Sequence, residues 1–309
     1  MVNTLVTGGS GFIGRTVIRR LTKAGIHVIS VDLLPPEDVA GYEFVKADAL
    51  DYPTAQRILT EFDVQAVVHL IGLPLVPECQ RNPQLSFNLN VLAVQNMLEA
   101  ARGAGVQRFV FASSANVYGS RREPKGVSEN EGTSPDNVYG HHKVLAEEIA
   151  TSYAEMYGLK TTALRIFNVF GQGRAFGKDV ISQFVRNATE GRPLTVNGPR
   201  KFRDFVHVDD VAEAFYACLA RGANSVAVNV GTGIPTTLGQ LARMVAGAFP
   251  SAAVQEQSGD DDGTGIVANI EVARKELGLR PRNPGDAIAA FLAQCKSGSR
   301  ELTKEESGR

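Results

Sequence analysis

Residues 4–14, TLVTGGSGFIG, run from a short apolar stretch into glycines at 8, 11 and 14 and then into a segment of helical periodicity. A glycine triad alone says little. Placed after a strand and opening a helix, it describes a backbone that can approach a dinucleotide pyrophosphate. Gly8 makes the tight turn, Gly11 admits the phosphates, and Gly14 lets helix and strand pack closely. The helix that Phe12 and Ile13 begin presents its N-terminal N–H groups and positive dipole end to that charge. Asp32 ends the second strand, eighteen residues after Gly14. A carboxylate there accepts from both adenosine ribose hydroxyls and repels a 2′-phosphate, which favours NAD over NADP. Asp48, ending KAD, reads equally as an adenine contact or a turn aspartate.

The order of elements sets the fold class. Strands at 4–8, 27–32, 42–48, 65–72, 108–115 and 161–171 alternate with helices at 12–25, 53–62, 84–105 and 138–158. Such alternation implies right-handed crossovers and an α/β fold, a Rossmann-type doubly wound parallel sheet. After residue 171 the regularity weakens, with helices expected at 178–190, 209–221, 238–249 and 272–278 and a strand and turn at 226–233. The expected organisation is a Rossmann domain over 1–171, rejoined by 204–232. A smaller substrate-binding lobe takes 172–203 and 233–296. The polar tail 297–309 has no apolar face and reads as disordered.

Net charge is −1, so no basic footprint points to nucleic acid or to an anionic membrane. The longest apolar runs fall short of the roughly 18–20 residues of a membrane span. No apolar leader marks the N-terminus. Cys79, Cys218 and Cys295 are odd in number and widely separated, which fits a reducing, cytoplasmic compartment. The histidines share no metal-ligand spacing, and no metal is expected.

Tyr139 precedes Lys143 by four residues, and so does Tyr42 precede Lys46. The second pair lies in an alternating strand pattern, where such positions are about 13 Å apart. On a helix, i and i+4 are neighbours on one face. Only Tyr139 and Lys143 combine spacing with element. A free phenol has a pKa of about 10, so a base near neutral pH needs roughly three units, or about 4 kcal/mol. A nearby ammonium and an oxidised nicotinamide supply that by stabilising the phenolate. Ser113 and Ser114, at the end of the preceding strand, are both available as the hydroxyl that orients it.

TGGSGFIG, HLIGL, NLNVLAVQNMLEAA, FASSANVYG, YGHHK, LRIFNVFGQG, RDFVHVDDVA and NVGTG occur in series. In that order they resemble the extended short-chain dehydrogenase/reductases, and within them the NAD-dependent nucleotide-sugar epimerases and dehydratases of the UDP-glucose 4-epimerase type. The likeness runs to about residue 293. It implies that Tyr139 is the catalytic base, Lys143 its partner and Ser114 the third member. Asp48, Ala49, Leu70 and Asn90 join the glycine turn, Asp32, Tyr139 and Lys143 as cofactor-side residues, with Asn90 bracing the backbone. Asn168 contacts the sugar or its phosphate, and Arg203 grips the diphosphate, so Ser114, Tyr139, Asn168 and Arg203 form the substrate set. The implied reaction is transient oxidation at C4 of a UDP-sugar with NAD, then hydride return to the opposite face. A nucleotide-sugar 4-ketoreductase or atypical dehydratase is the alternative. A homodimer through helices 84–103 and 138–157 is also implied.

Three departures qualify the likeness. Dehydratases carry an acid pair after the strand-end hydroxyl, where this chain has Ala115 and Asn116. Near residue 259 many relatives place a second diphosphate-binding arginine, where this chain has SGDDDGTG. Pro74 stands where some epimerases have a lysine, and nothing in its chemistry explains the change.

Overall fold

β1 (Asn3–Thr7) buries Leu5 and Val6 completely because helices cover both faces of the sheet it enters. The computed structural model describes residues 2–36, 40–48, 50–173, 179–223, 226–259 and 263–306, with side chains as far as Ser297. The turn after β1 leads into α1 (Phe12–Lys23), then β2 (His27–Asp32), β3 (Glu43–Lys46), α2 (Tyr52–Glu61) and β4 (Ala66–His69). Two short helices follow, α3 (Val76–Arg81) and α4 (Pro83–Phe87). A π-helical turn over Asn88–Leu92 joins α4 to α5 (Ala93–Gly103). Next come β5 (Arg108–Ser114), a 3₁₀ turn at Ala115–Tyr118, β6 (Gly126–Val127), α6 (Val138–Tyr157), β7 (Lys160–Ile166) and β8 (Asn168–Phe170).

The second half contains α7 (Val180–Thr189), β9 (Leu194–Asn197), β10 (Phe202–His207), α8 (Val208–Arg221), β11 (Ala227–Val230), β12 (Pro235–Thr237) and α9 (Leu238–Ala248). It closes with β13 (Val254–Gln257), β14 (Gly265–Ala268), a π-helical turn at Ala273–Leu277 and α10 (Pro284–Glu306). Among the described residues no helix is long and apolar enough to cross a membrane.

Seven parallel strands in the order β11-β7-β5-β4-β1-β2-β3 form the main sheet. One apolar layer, with Ile58, Met97, Leu98 and Tyr153, packs α2, α5 and α6 on one face. The other, with Val17, Leu21, Val211 and Phe215, packs α1 and α8 on the opposite face. The strand order reverses between β1 and β4, where a crevice at the carboxyl ends of the strands is expected to bind ligand. A second sheet, β12-β10-β14-β6 with β8 also on β10, and a pair of strands, β13-β9, stand apart from the main sheet. Phe184, Leu241, Val245, Ile288 and Leu292 belong to a separate apolar cluster.

Several elements differ from the sequence expectation. The helix expected over 84–105 is interrupted by the π turn, whose wider ring turns Asn90 inward until it is fully buried. The strand expected over 161–171 breaks at Phe167, so that β8 leaves the main sheet and pairs with β10. The segment 272–278 is mostly a π turn. The tail expected to be disordered from 297 continues α10 as far as Glu306. Its Arg, Glu, Leu and Lys residues are good helix formers, and extending an existing helix needs no new nucleus.

Asp204 ties the second sheet together. It is fully buried, and its carboxylate accepts from Thr232 N (2.7 Å), Thr232 Oγ1 (2.7 Å), Gly233 N (2.9 Å) and Ala268 N (3.0 Å). Asp204→Ala leaves the buried N–H groups of Thr232 and Ala268 without their acceptor, each costing about 1–3 kcal/mol, and breaks the partly buried bond from Gly233 N. Denaturant unfolding should show at least about 2 kcal/mol lost. A loss under about 1 kcal/mol would refute the assignment of this carboxylate as the clasp.

Candidate active site

The glycine turn is sterically specified. Gly8 has φ +68°, and a Cβ there would lie 2.9 Å from the Leu70 carbonyl carbon. A Cβ on Gly14 would stand 2.2 Å from Gly8 O, so helix and turn meet as the spacing implied. Gly9, which the sequence reading did not single out, is as tightly held: its Cβ would fall 2.2 Å from Ser30 Oγ and 2.7 Å from Ile18 Cδ1. Gly11 caps α1 without a side chain, and its N–H donates to Gly8 O at 3.1 Å. A helix start without a side-chain cap is a ready anion site.

Asp32 is wired to this turn. Its Oδ2 accepts from Ser10 N at 3.0 Å and its Oδ1 from Leu33 N at 2.7 Å. Asp48 is exposed and accepts from Leu50 N at 2.9 Å, which is the turn-aspartate role weighed above. Ala49 lies outside the described residues. Leu70, just past β4, donates its N–H to Thr7 O at 3.2 Å and thereby faces Gly8.

Tyr139 and Lys143 lie one turn apart on the buried face of α6. Three features aim the tyrosine. Asn137 Oδ1 caps the helix by accepting from Gly140 N at 2.9 Å. A Cβ on Gly140 would sit 2.4 Å from Asn116 O, so glycine lets the helix start press against the 3₁₀ turn. Ser114 hydrogen-bonds the phenol, while its Oγ accepts from Asn116 N (3.2 Å) and Nδ2 (3.1 Å). Asn116, noticed in the sequence only as a missing acid, therefore orients Ser114. Ser113 points elsewhere and donates to Glu147.

Lys143 Nζ donates to Ala112 O at 2.8 Å and lies 5.7 Å from the centroid of the Tyr139 ring. Burial pushes its pKa down to about 8, while Glu147 and Cys79 act in the opposite sense. Tyr139 departs from expectation. Burial drives its phenol up to about 12, against the downward pull of Ser114, so the ammonium does not by itself make it acidic. The physical reason is desolvation of the phenolate in a closed site whose lysine is directed at a carbonyl.

Near the pair, Asn90 clasps the backbone of one residue. Its Oδ1 accepts from Leu73 N and its Nδ2 donates to Leu73 O, both at 3.2 Å, and Cys79 Sγ donates to the same oxygen at 3.2 Å. Gly72 fits between, since a Cβ there would come 2.8 Å from Asn90 Oδ1 and 3.5 Å from Lys143 Nζ. In the second sheet, β8 and β10 pair in parallel with Asn168 opposite Phe205, which puts Arg203 two residues along the neighbouring strand. Arg203 Nη1 donates to Phe202 O at 2.8 Å. Asp260, Asp261 and Asp262 of the SGDDDGTG segment lie outside the described residues.

A glycine cradle, a strand-end carboxylate and a buried serine–tyrosine–lysine set at one end of a parallel sheet define a Rossmann-type protein of the short-chain dehydrogenase class. Residues 4–231 match the NAD dependent epimerase/dehydratase family, and the chain belongs to that family. UDP-glucose 4-epimerase of Azospirillum brasilense is 30% identical, the match covering 96% of this chain and 92% of that protein. Among solved structures, UDP-glucose 4-epimerase of Thermotoga maritima with UDP-glucose superposes with a TM-score of 0.87 at 28% identity, over 94% of this chain and 98% of that one. The UDP-glucose 4-epimerase of Thermus thermophilus in complex with NAD gives 0.86 at 29%, over 96% and 99%.

His69 titrates with the fold. It is fully buried, its Nδ1 pairs with Thr7 Oγ1 at 2.9 Å, and its Nε2 has no partner among the described residues. Burial first, and Lys143 second, lower its pKa from 6.5 to about 3. The folded state thus binds fewer protons than the unfolded one between those values, and stability falls as pH drops through that window. Between pH 7 and 5 this side chain should account for roughly 2 kcal/mol. Urea unfolding of the parent and of His69→Gln tests it: the parent should lose more stability by that margin, and equal losses would contradict it.

Proposed function

We propose that the protein is an NAD-dependent nucleotide-sugar 4-epimerase acting on a UDP-sugar. The observation that carries this reading is the convergence of Ser114 from β5 with Tyr139 and Lys143 from α6 in a buried site. The named relatives support the choice of reaction and of nucleotide. The residues also fit the cofactor. Gly8, Gly9 and Gly14 let the turn pack where a Cβ would collide, Gly11 leaves the start of α1 bare of side chain, and Asp32 beside Ser10 suits a ribose.

Held by the glycine turn and Asp32, NAD would supply a hydride acceptor and donor at C4 of the sugar and would be regenerated in each cycle. Tyr139 Oη takes the proton of the 4-hydroxyl and gives it back to the opposite epimer. Its starting pKa of about 12 makes this demanding. Ser114 already acts on that value, so the remaining stabilisation of the phenolate falls to the Lys143 ammonium and the charge of the oxidised nicotinamide. Ser114 donates to the reacting oxygen. Asn90 keeps the Leu73 peptide in place beside Lys143. Asn168 and Arg203 are assigned to the sugar and diphosphate. A cytoplasmic setting is supported by the three free cysteines.

The test is NMR of the protein incubated without added NAD against a panel of UDP- and dTDP-sugars. The reading expects the same C4-epimer mixture from either side. A panel left unconverted, with a 4-keto sugar reduced in a parallel incubation that contains NADH, would replace it with a ketoreductase. Tyr139→Phe should lower turnover by about a thousandfold or more while bound NAD is retained.

A homodimer is inferred from apolar side chains exposed along two helical segments: Leu85, Phe87 and Leu92 on one, Leu145, Met156 and Tyr157 on the other. Sedimentation velocity should report a dimer that Phe87→Asp shifts toward monomer. A monomeric parent would exclude it.

A further inference from the structure

Three consecutive residues of β5 engage three residues of α6, each one turn beyond the last. Ser114 meets Tyr139, Ala112 O accepts from Lys143 at 2.8 Å, and Ser113 Oγ donates to Glu147. The first two contacts belong to the reacting site. The third does not touch it, yet it is the most heavily constructed. Glu147 accepts from Arg165 Nε at 3.1 Å through each oxygen and from Nη2 at 2.7 Å through Oε2. Arg165 Nη1 donates to Tyr118 Oη at 2.8 Å, and that hydroxyl donates to Asn229 Oδ1 at 2.8 Å. Asn229 Nδ2 then donates to Val127 O at 2.9 Å, on β6 of the second sheet. The Glu147 and Arg165 side chains are only 11% and 8% exposed.

We infer that Glu147 is a positioning residue of the catalytic pair: an immobilised counter-charge, anchored by Ser113 and Arg165, that keeps Lys143 an ammonium in a buried site. The inference rests on reading Tyr139 and Lys143 as the reacting pair.

The surroundings of Lys143 leave this task to one group. On α6 it has Tyr139 on one side and Glu147 on the other, one turn away each. From α3 comes the Cys79 thiol, and from β4 comes His69, which burial keeps neutral down to about pH 3. Arg165, from β7, reaches Glu147 rather than the lysine. Glu147 is therefore the carboxylate among the described residues that acts on Lys143 and opposes its desolvation. A freely moving carboxylate would bond the lysine directly and take it from Ala112 O. Two-sided anchoring by Ser113 and Arg165 holds the charge in range without letting it capture the ammonium. With the charge removed, desolvation loses its larger opponent and only Cys79 acts against it, so Lys143 loses its proton at lower pH and Tyr139 loses the partner that stabilises its phenolate.

Glu147→Gln keeps the size of the side chain and its capacity to bond Ser113. Turnover of the parent and of this variant, measured from about pH 6 to 9.5, should show the alkaline limb moved down by about one pH unit or more. Glu147→Asp should restore part of that shift. A variant whose turnover falls by one factor at every pH, with the limb unmoved, overturns the inference and leaves Glu147 a structural residue. Should the single variant fail to fold with Arg165 unpaired, Glu147→Gln combined with Arg165→Gln removes both charges. Its limb should still move down, and an unmoved limb overturns the inference equally. A second readout uses no sugar. With NAD added, the tyrosinate absorbance of Tyr139, isolated as the difference from Tyr139→Phe, is titrated with and without Glu147→Gln. Its midpoint should rise in the variant, and an unchanged midpoint contradicts the inference. A rise without turnover of any sugar would sink the proposed reaction while this inference stands.

Discussion

A lysine ammonium held out of water is the constraint on which the site depends. Burying a charge is costly unless it is bonded and compensated. Lys143 satisfies both conditions through a carbonyl of β5 and a carboxylate one helical turn further along α6. Gly72, whose Cβ would come 3.5 Å from that nitrogen, and the clasp of Asn90 on Leu73 shape the backbone beside it. Tyr139 shares the helix and hence the geometry, with Ser114 and Asn116 fixing its rotation about the helix axis.

The second sheet carries the other residues assigned to substrate. β8 leaves the main sheet immediately after Ile166 and Phe167 and pairs with β10, bringing Asn168 and Arg203 onto adjacent strands. Asp204, next to Arg203, clamps the backbone of residues 232, 233 and 268. Between the sheets runs the buried line Glu147, Arg165, Tyr118, Asn229. It joins the helix of Tyr139 and Lys143 to β6 through hydrogen bonds of 2.7–2.9 Å. Such lines lock two packed units into one arrangement, because breaking any member leaves a buried polar group unpaired.

Much of this was legible in the chain. The alternation of strands and helices over the first 171 residues specified the parallel sheet, because a period of two cannot sit as a helix nor 3.6 as a strand. The same reasoning separated Tyr139 and Lys143 from Tyr42 and Lys46, and the latter two indeed flank or lie in β3. What escaped was what depends on contacts between distant segments. Gly9 looked like one glycine among several, and only Ser30 and Ile18 pressing on it give its reason. A π turn has no periodicity to announce it. β9, β12 and β13 are short strands whose partners lie far away in sequence. The direction of the Tyr139 pKa was also hidden, since spacing reveals a neighbouring lysine but not the depth at which both are buried.

These features come together in a reaction whose hydride never leaves the site. The most direct measurement follows deuterium at C4 of a UDP-sugar that the protein epimerises, mixed with unlabelled sugar and free NADH. The account predicts that the label stays on C4 of the same molecule after inversion, with none in solvent, in free cofactor or on the unlabelled sugar. Deuterium appearing in free NADH, or scrambled between sugar molecules, would contradict a buried tyrosine–lysine pair working on a retained cofactor.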